Sequence, residues 1–236
     1  MRKTLRLVTR PVLAMAVVLT ITALGANASL TTYSTPASFN AATNGVTTQT
    51  FGFLSATVGP GNAVGVNNSL NSATNNGFVS PGDIAAGLDI AATTSFGQDI
   101  ALTGPNFFGT GTTNYAVFGN YNGSGLQFTF SPGVTAFSLG ILSEFSSADA
   151  TISVFSPSSV LLGSITLSSA PTSGSGAFLG VTSTGSIGSV VLTATDAPFA
   201  GVDEVQFGSS TPEPSSLLLL ASGLLGAAGT LRKRLG

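Results

Sequence analysis

The stretch Leu126-Gln127-Phe128-Thr129-Phe130-Ser131-Pro132-Gly133-Val134-Thr135-Ala136-Phe137-Ser138-Leu139-Gly140-Ile141 decides the fold. Leu126, Phe128 and Phe130 alternate with Gln127 and Thr129, the period of two that sends apolar side chains to one face of a strand and polar ones to the other. Phe137, Leu139 and Ile141 make a second such face, entered through the turn tripeptide Ser131-Pro132-Gly133. The chain here reads as two consecutive half-buried strands.

Working outward, the same pattern continues. Strands are expected at residues 151–155, 160–167, 177–181, 189–195 and 202–207. Ser156-Pro157-Ser158, the segment 171–176 and the glycines of 185–188 punctuate them. Upstream, the run 115–121 followed by Asn122-Gly123 reads as the first arm of a hairpin into 126–130. The N-terminal half is less regular. Thr35-Pro36-Ala37-Ser38 caps a helical turn or two carrying Phe39, Ala41 and Ala42. Residues 47–54 read as a strand, and 59–80, rich in Asn, Gly and Ser, as loop. Strands of this length and spacing predict an all-β fold, an antiparallel β-sandwich or jelly-roll-like single domain spanning 29–209.

Charge is distributed by segment. The 7 basic residues are Arg2, Lys3, Arg6, Arg10, Arg232, Lys233 and Arg234, all at the two extremities. The 9 carboxylates all fall between them: Asp83, Asp89, Asp99, Glu144, Asp149, Asp196, Asp203, Glu204 and Glu213. A domain without Lys or Arg cannot neutralise phosphates, which excludes nucleic acid as a partner. Its β-branched and aromatic content is that of a folded chain. With Cys 0 there is no disulfide to staple it, so a packed core must hold it.

Both ends carry membrane signals. Residues 1–28 have a basic start, an apolar run over 12–24 and the small-x-small site Ala26-Asn27-Ala28, which is the anatomy of a secretory signal peptide. The other end reads Thr211-Pro212-Glu213-Pro214-Ser215-Ser216, an uncharged Leu-rich run over 217–231, then Arg232-Lys233-Arg234. That run rises about 22 Å as a helix. With Ser215, Ser216 and snorkelling bases it is long enough to reach across a bilayer, giving an expected transmembrane helix over 215–231. The three terminal bases favour a cytoplasmic C-terminus, which leaves the domain outside.

Pro212-Glu213-Pro214, the Leu-rich span and the basic stop in that order resemble the PEP-CTERM sorting signal, here over residues 210–236. The resemblance implies export and a transient hold in the inner membrane. It also implies processing by an exosortase-type membrane transpeptidase in a bacterium that makes exopolysaccharide. The prolines bar a helix and present Glu213 extended beside the bilayer. Phe128 to Phe137 and Asp203-Glu204-Val205-Gln206-Phe207-Gly208 are similar to stretches of the passenger domains that such tails follow, which implies a β-sandwich and no defined activity.

No His or Cys is present to build a triad or a zinc site. Carboxylate chemistry remains. Asp203 and Glu204 are strand neighbours and point to opposite faces, so they cannot form a glycosidase pair; Glu144 with Asp149, or Asp83 with Asp89, are the other pairs. Calcium takes six to eight oxygen ligands, and Asp203, with Asp196 and Glu204 next, are the candidate ligands; no other cofactor is expected. Tyr33, Tyr115 and Tyr121 with Asn114, Asn120 and Asn122 are the set available for stacking on sugars. Thr182-Ser183-Thr184 and Thr193-Ala194-Thr195 are too few for an ice-binding ladder. The leading expectation is a non-catalytic exported cell-surface or matrix protein associated with exopolysaccharide or biofilm. A calcium-assisted lectin-like module and a carboxylate-based polysaccharide hydrolase stand as alternatives.

Overall fold

The computed structural model describes residues 28–66, 69–93, 100–107, 113–119, 125–143, 148–172, 174–194 and 200–211. In chain order they form β1 (Leu30–Tyr33), α1 (Pro36–Ala41), β2 (Thr43–Thr50), a 3-10 turn (Gly52–Ala56), β3 (Ala63–Val66), β4 (Leu70–Asn71), β5 (Leu88–Ala92) and β6 (Ile100–Thr103). Then come β7 (Ala116–Gly119), β8 (Leu126–Ser143), β9 (Ala148–Phe155), β10 (Leu161–Ala170), β11 (Ala177–Ala194) and β12 (Ala200–Ser210). The pairings among these strands are antiparallel.

β8 and β11 organise the architecture, because each serves two layers. Residues 126–130 of β8 lie between β5 and residues 189–192 of β11. Residues 136–143 lie between β12 and residues 177–182 of β11. The register breaks between, at 131–135 of β8 and 183–188 of β11, where both strands turn a corner from one sheet into the other. One layer runs β4-β5-β8-β11-β9-β10. The other runs β1-β11-β8-β12-β2, with β7, β6 and β3 continuing from the start of β12. The two enclose one core. Phe130 of the first layer meets Phe137 (6.4 Å) and Phe207 (5.6 Å) of the second. The protein is an all-β antiparallel sandwich.

Inner and outer faces follow the alternation read from the sequence. In the first layer Ile90, Phe128, Val190 and Val154 form one row of the core. Asp89, Thr129 and Ser189 lie in the neighbouring row, on the opposite face.

Several expectations are corrected. Ser131-Pro132-Gly133 and the glycines of 185–188 do not end strands: β8 and β11 each run 18 residues through them. The same residues that permit a reversal here permit a sheet change. The run at 115–121 is not the arm of a hairpin into β8, since β7 pairs with β6 and β12. All four of its residues are buried, so it fits a strand covered on both faces. The segment 59–80 contains β3 and β4. The strand expected over 47–54 ends at Thr50, where the 3-10 turn takes over. The 1–27 part of the signal peptide, with Ala26, lies outside the described residues. So do Pro212, Glu213, Pro214, the 215–231 span and Arg232, Lys233 and Arg234. Among the described residues no helix is long and apolar enough to cross a membrane.

α1 is capped as read: the Thr35 hydroxyl accepts from Ser38 N at 3.3 Å. At 6 residues it cannot stand alone. Phe39 pins it to the outer face of the second layer. Its ring is fully buried between Tyr33 (6.0 Å) and Phe178 (5.9 Å), both edge-on, over Gly180, where a Cβ would strike the ring.

Candidate functional site

β1 lies antiparallel on β11, pairing Thr31 with Thr182 and Tyr33 with Gly180. Alternation puts Thr31 and Tyr33 on one face of β1, beside the C-terminal end of α1. The end of β12 closes the opposite side: Ser210 N donates to Thr135 Oγ1 at 2.8 Å, and Thr211 N to Ala42 O at 2.8 Å. Between them lies a groove of about 730 Å³. Ser29, Thr31, Tyr33, Thr182, Ser183 and Thr184 form one wall; Thr135, Ser210 and Thr211 face them. Ala41 and Ala42 complete the lining, which holds no charged residue among the described residues.

A hydroxyl offers one donor and two acceptor sites. Tyr33 Oη and Thr182 Oγ1 share one bond of 3.2 Å, and Thr184 Oγ1 accepts from Ser29 N at 3.0 Å. The pocket is therefore lined by groups that can both donate and accept. The volume lies in the range of small-ligand sites, about 300–1,000 Å³.

Asp203 occupies a different place. It is the extra residue of a bulge in β12, between Val202 opposite Ile141 and Glu204 opposite Gly140. Its carboxylate is 6% exposed and accepts from Gly176 N (2.8 Å) and Asn114 Nδ2 (2.9 Å), both on Oδ2. Its other oxygen lies against Gly140, where any Cβ would overlap it. Both of these groups on Oδ2 are N–H donors, which stabilise a buried carboxylate. Glu204 is half-buried and takes Gln206 Nε2 at 2.6 Å. Asp196 lies outside the described residues. Among the described residues no three acidic side chains gather in a metal-binding group.

The remaining acids among the described residues are tied to local donors. Asp83 caps a turn by accepting from Ser80 N at 2.7 Å. Asp89 takes Ser69 Oγ (3.2 Å) and Asn71 Nδ2 (3.0 Å), and Asp149 takes Ser169 N at 3.0 Å. Glu144 lies outside the described residues. Of the aromatic set, Tyr33 reaches the groove, Tyr115 packs against the core, and Tyr121, Asn120 and Asn122 lie outside the described residues. Asn114 is taken up by Asp203. The groove was not foreseen. Its only sequence trace is Thr182-Ser183-Thr184, indistinguishable from the many other Ser and Thr runs of the chain.

A family model described as the PEP-CTERM protein-sorting motif matches residues 210–234. The chain carries a PEP-CTERM sorting signal. That signal marks it for export and for processing at the membrane. No curated protein gives a match. Among solved structures, a family 6 carbohydrate-binding module studied for its binding sub-sites is 18% identical, with 50% of this chain and 86% of that chain covered, at a TM-score of 0.30. A family 6 module from Clostridium stercorarium in complex with cellobiose is 20% identical, over 51% of this chain and 87% of that chain, at 0.30. The catalytic domain of a GH87 alpha-1,3-glucanase in complex with nigerose is 17% identical, over 55% of this chain and 30% of that chain, at 0.27. Likeness at this level carries no argument about ligands.

The PEP-CTERM match begins at Ser210, the residue clasped by Thr135. Ser29, which follows Ala28, pairs with Thr184 on the same groove. Ser29 and Thr211, near the two ends of the described sandwich, thus lie on one groove.

Proposed function

We propose that this chain is a non-catalytic surface or matrix protein, delivered by PEP-CTERM processing, that holds neutral extracellular polysaccharide in the groove between β1, β11 and the end of β12. The observation that carries this reading is the lining: hydroxyls along both walls and no charge among the described residues. Sugar hydroxyls also donate and accept, so they match such walls without leaving a polar group unpaired. An anionic polymer would meet an acid-only domain with no Lys or Arg between Arg10 and Arg232, and like charge disfavours that encounter. A hydrolase needs two carboxyls facing one cleft, and none lines this one among the described residues.

The test is affinity electrophoresis of the processed protein through gels holding neutral or uronate-rich polysaccharide. Retardation is expected in neutral gels. Thr31→Arg, at an exposed position on the groove wall, should weaken it by about tenfold or more, the scale of losing one or two well-placed hydrogen bonds. Thr129→Arg, exposed on the other sheet, should leave it unchanged. Equal migration of all three proteins with and without neutral polysaccharide would sink the proposal.

A further inference from the structure

β10 pairs on one side only, with β9. Its other side is a free edge among the described residues, 10 residues long, without charge or proline. Edge strands are ordinarily blunted by Lys, Pro, inward charges or bulges, because a bare edge templates a further strand. Bulges interrupt β10 near both ends, between Leu161 and Gly163 and between Leu167 and Ala170, but residues 163–167 keep regular register. β2, the edge beside β12, also lacks charge and proline, but its side chains are mostly polar: Thr-Asn-Gly-Val-Thr-Thr-Gln-Thr.

The two layers do not end together on this side. Beyond β11 the first layer extends through β9 and β10, whereas the second has only the 4-residue β1. Leu30 of β1 covers Gly163. Leu162, Ile165 and Leu167 stay partly exposed although they pack on the core. Val160 (60% exposed) and Leu161 (54%), at the turn into β10, are the exposed large hydrophobics of the described residues. An unpaired backbone edge and an apolar overhang therefore coincide.

We propose that β10 is the surface through which two copies of this chain associate, edge to edge and antiparallel. A second copy fits for two reasons. A two-fold axis through the middle of the edge continues the sheet and lays the Ile165 and Leu167 rows side by side, so each overhang covers the other. The strip also carries no charge for a differently charged partner to recognise, and acid-only copies meet at β10 without opposing carboxylates. The nearest acid among the described residues, Asp149, is occupied by Ser169 N at the strand's end.

The processed protein is examined by sedimentation equilibrium over a wide concentration range, with a dimer expected. Ser164→Lys with Thr166→Lys places like charges across the shared edge at exposed positions. This should raise the dimer dissociation constant by about tenfold. A charge-reversed variant, Ser164→Glu with Thr166→Glu, should also be weakened alone yet form a heterodimer when mixed with the lysine variant, an outcome that misfolding could not produce. Thr48→Lys on β2 should leave the dimer intact. A monomeric wild type at every concentration, or mixed variants that fail to pair, overturns the proposal.

Discussion

A buried carboxylate costs stability unless hydrogen bonds replace the water it has lost. Asp203 meets that cost with Gly176 N and Asn114 Nδ2, linking β12 to the segments that precede β11 and β7. The bulge supplies the geometry, and Gly140 the space against which the carboxylate rests. Asp203→Ala leaves both donors without their acceptor and opens a small void. The expected loss is about 2–4 kcal/mol, a fall in melting temperature of roughly 5–15 °C for a domain of this size. Calorimetry of the wild type and the variant with and without Ca²⁺ checks this. The same difference should appear in both buffers. A wild-type midpoint that rises with Ca²⁺ while the variant's does not would make Asp203 a ligand after all.

At the scale of elements, the short helix and the sheet corners follow different rules. Phe39 replaces the length that α1 lacks, and Gly180 is the hollow it needs. Phe39→Ala should cost about 3–5 kcal/mol if the void persists. Hydrogen exchange should quicken in α1 and β1 before it does in β8 or β11. Uniform loss of protection would mean that the ring belongs to the main core. The helix was legible because its signals are local: a Thr cap, a proline in the first turn and one large apolar residue. The strands of the C-terminal half were legible from alternation. The corners were not, because Ser-Pro-Gly and Gly-Ser-Ile-Gly state only that the backbone may bend. Whether a bend reverses a strand or carries it into a second sheet depends on partners distant in sequence, such as the residues of β5 beside 126–130 and of β12 beside 136–143. β5 and β6 escaped for a related reason. They are 5 and 4 residues long, too short for a period of two to stand out from an Asn- and Gly-rich background.

For the whole molecule, what the sequence announced was its route, and what it concealed was its surface. Sorting depends on segments that must be read linearly by other machinery, so their chemistry is contiguous. The groove draws on β1, β8, β11 and the end of β12, and no single stretch of the chain holds it. The two meet at Thr211, whose N–H is clasped by Ala42 O. From there to the expected start of the span at residue 215 the chain reaches at most about 14 Å when extended. With the expected span in place, an anchored copy would sit close above the bilayer, and Pro212, Glu213 and Pro214 would lie between the two as a stem. Proline disfavours both helix and strand, and Glu213 is the one charged residue between Thr211 and the Leu-rich run. Glu213→Gln should keep the chain full-length and in the inner-membrane fraction, while the wild type loses the segment from the stem onward. Mass determination of the recovered protein reads the difference. If the Gln variant is trimmed at the wild-type rate, recognition rests on the apolar span and its basic stop, and the stem serves only as a spacer.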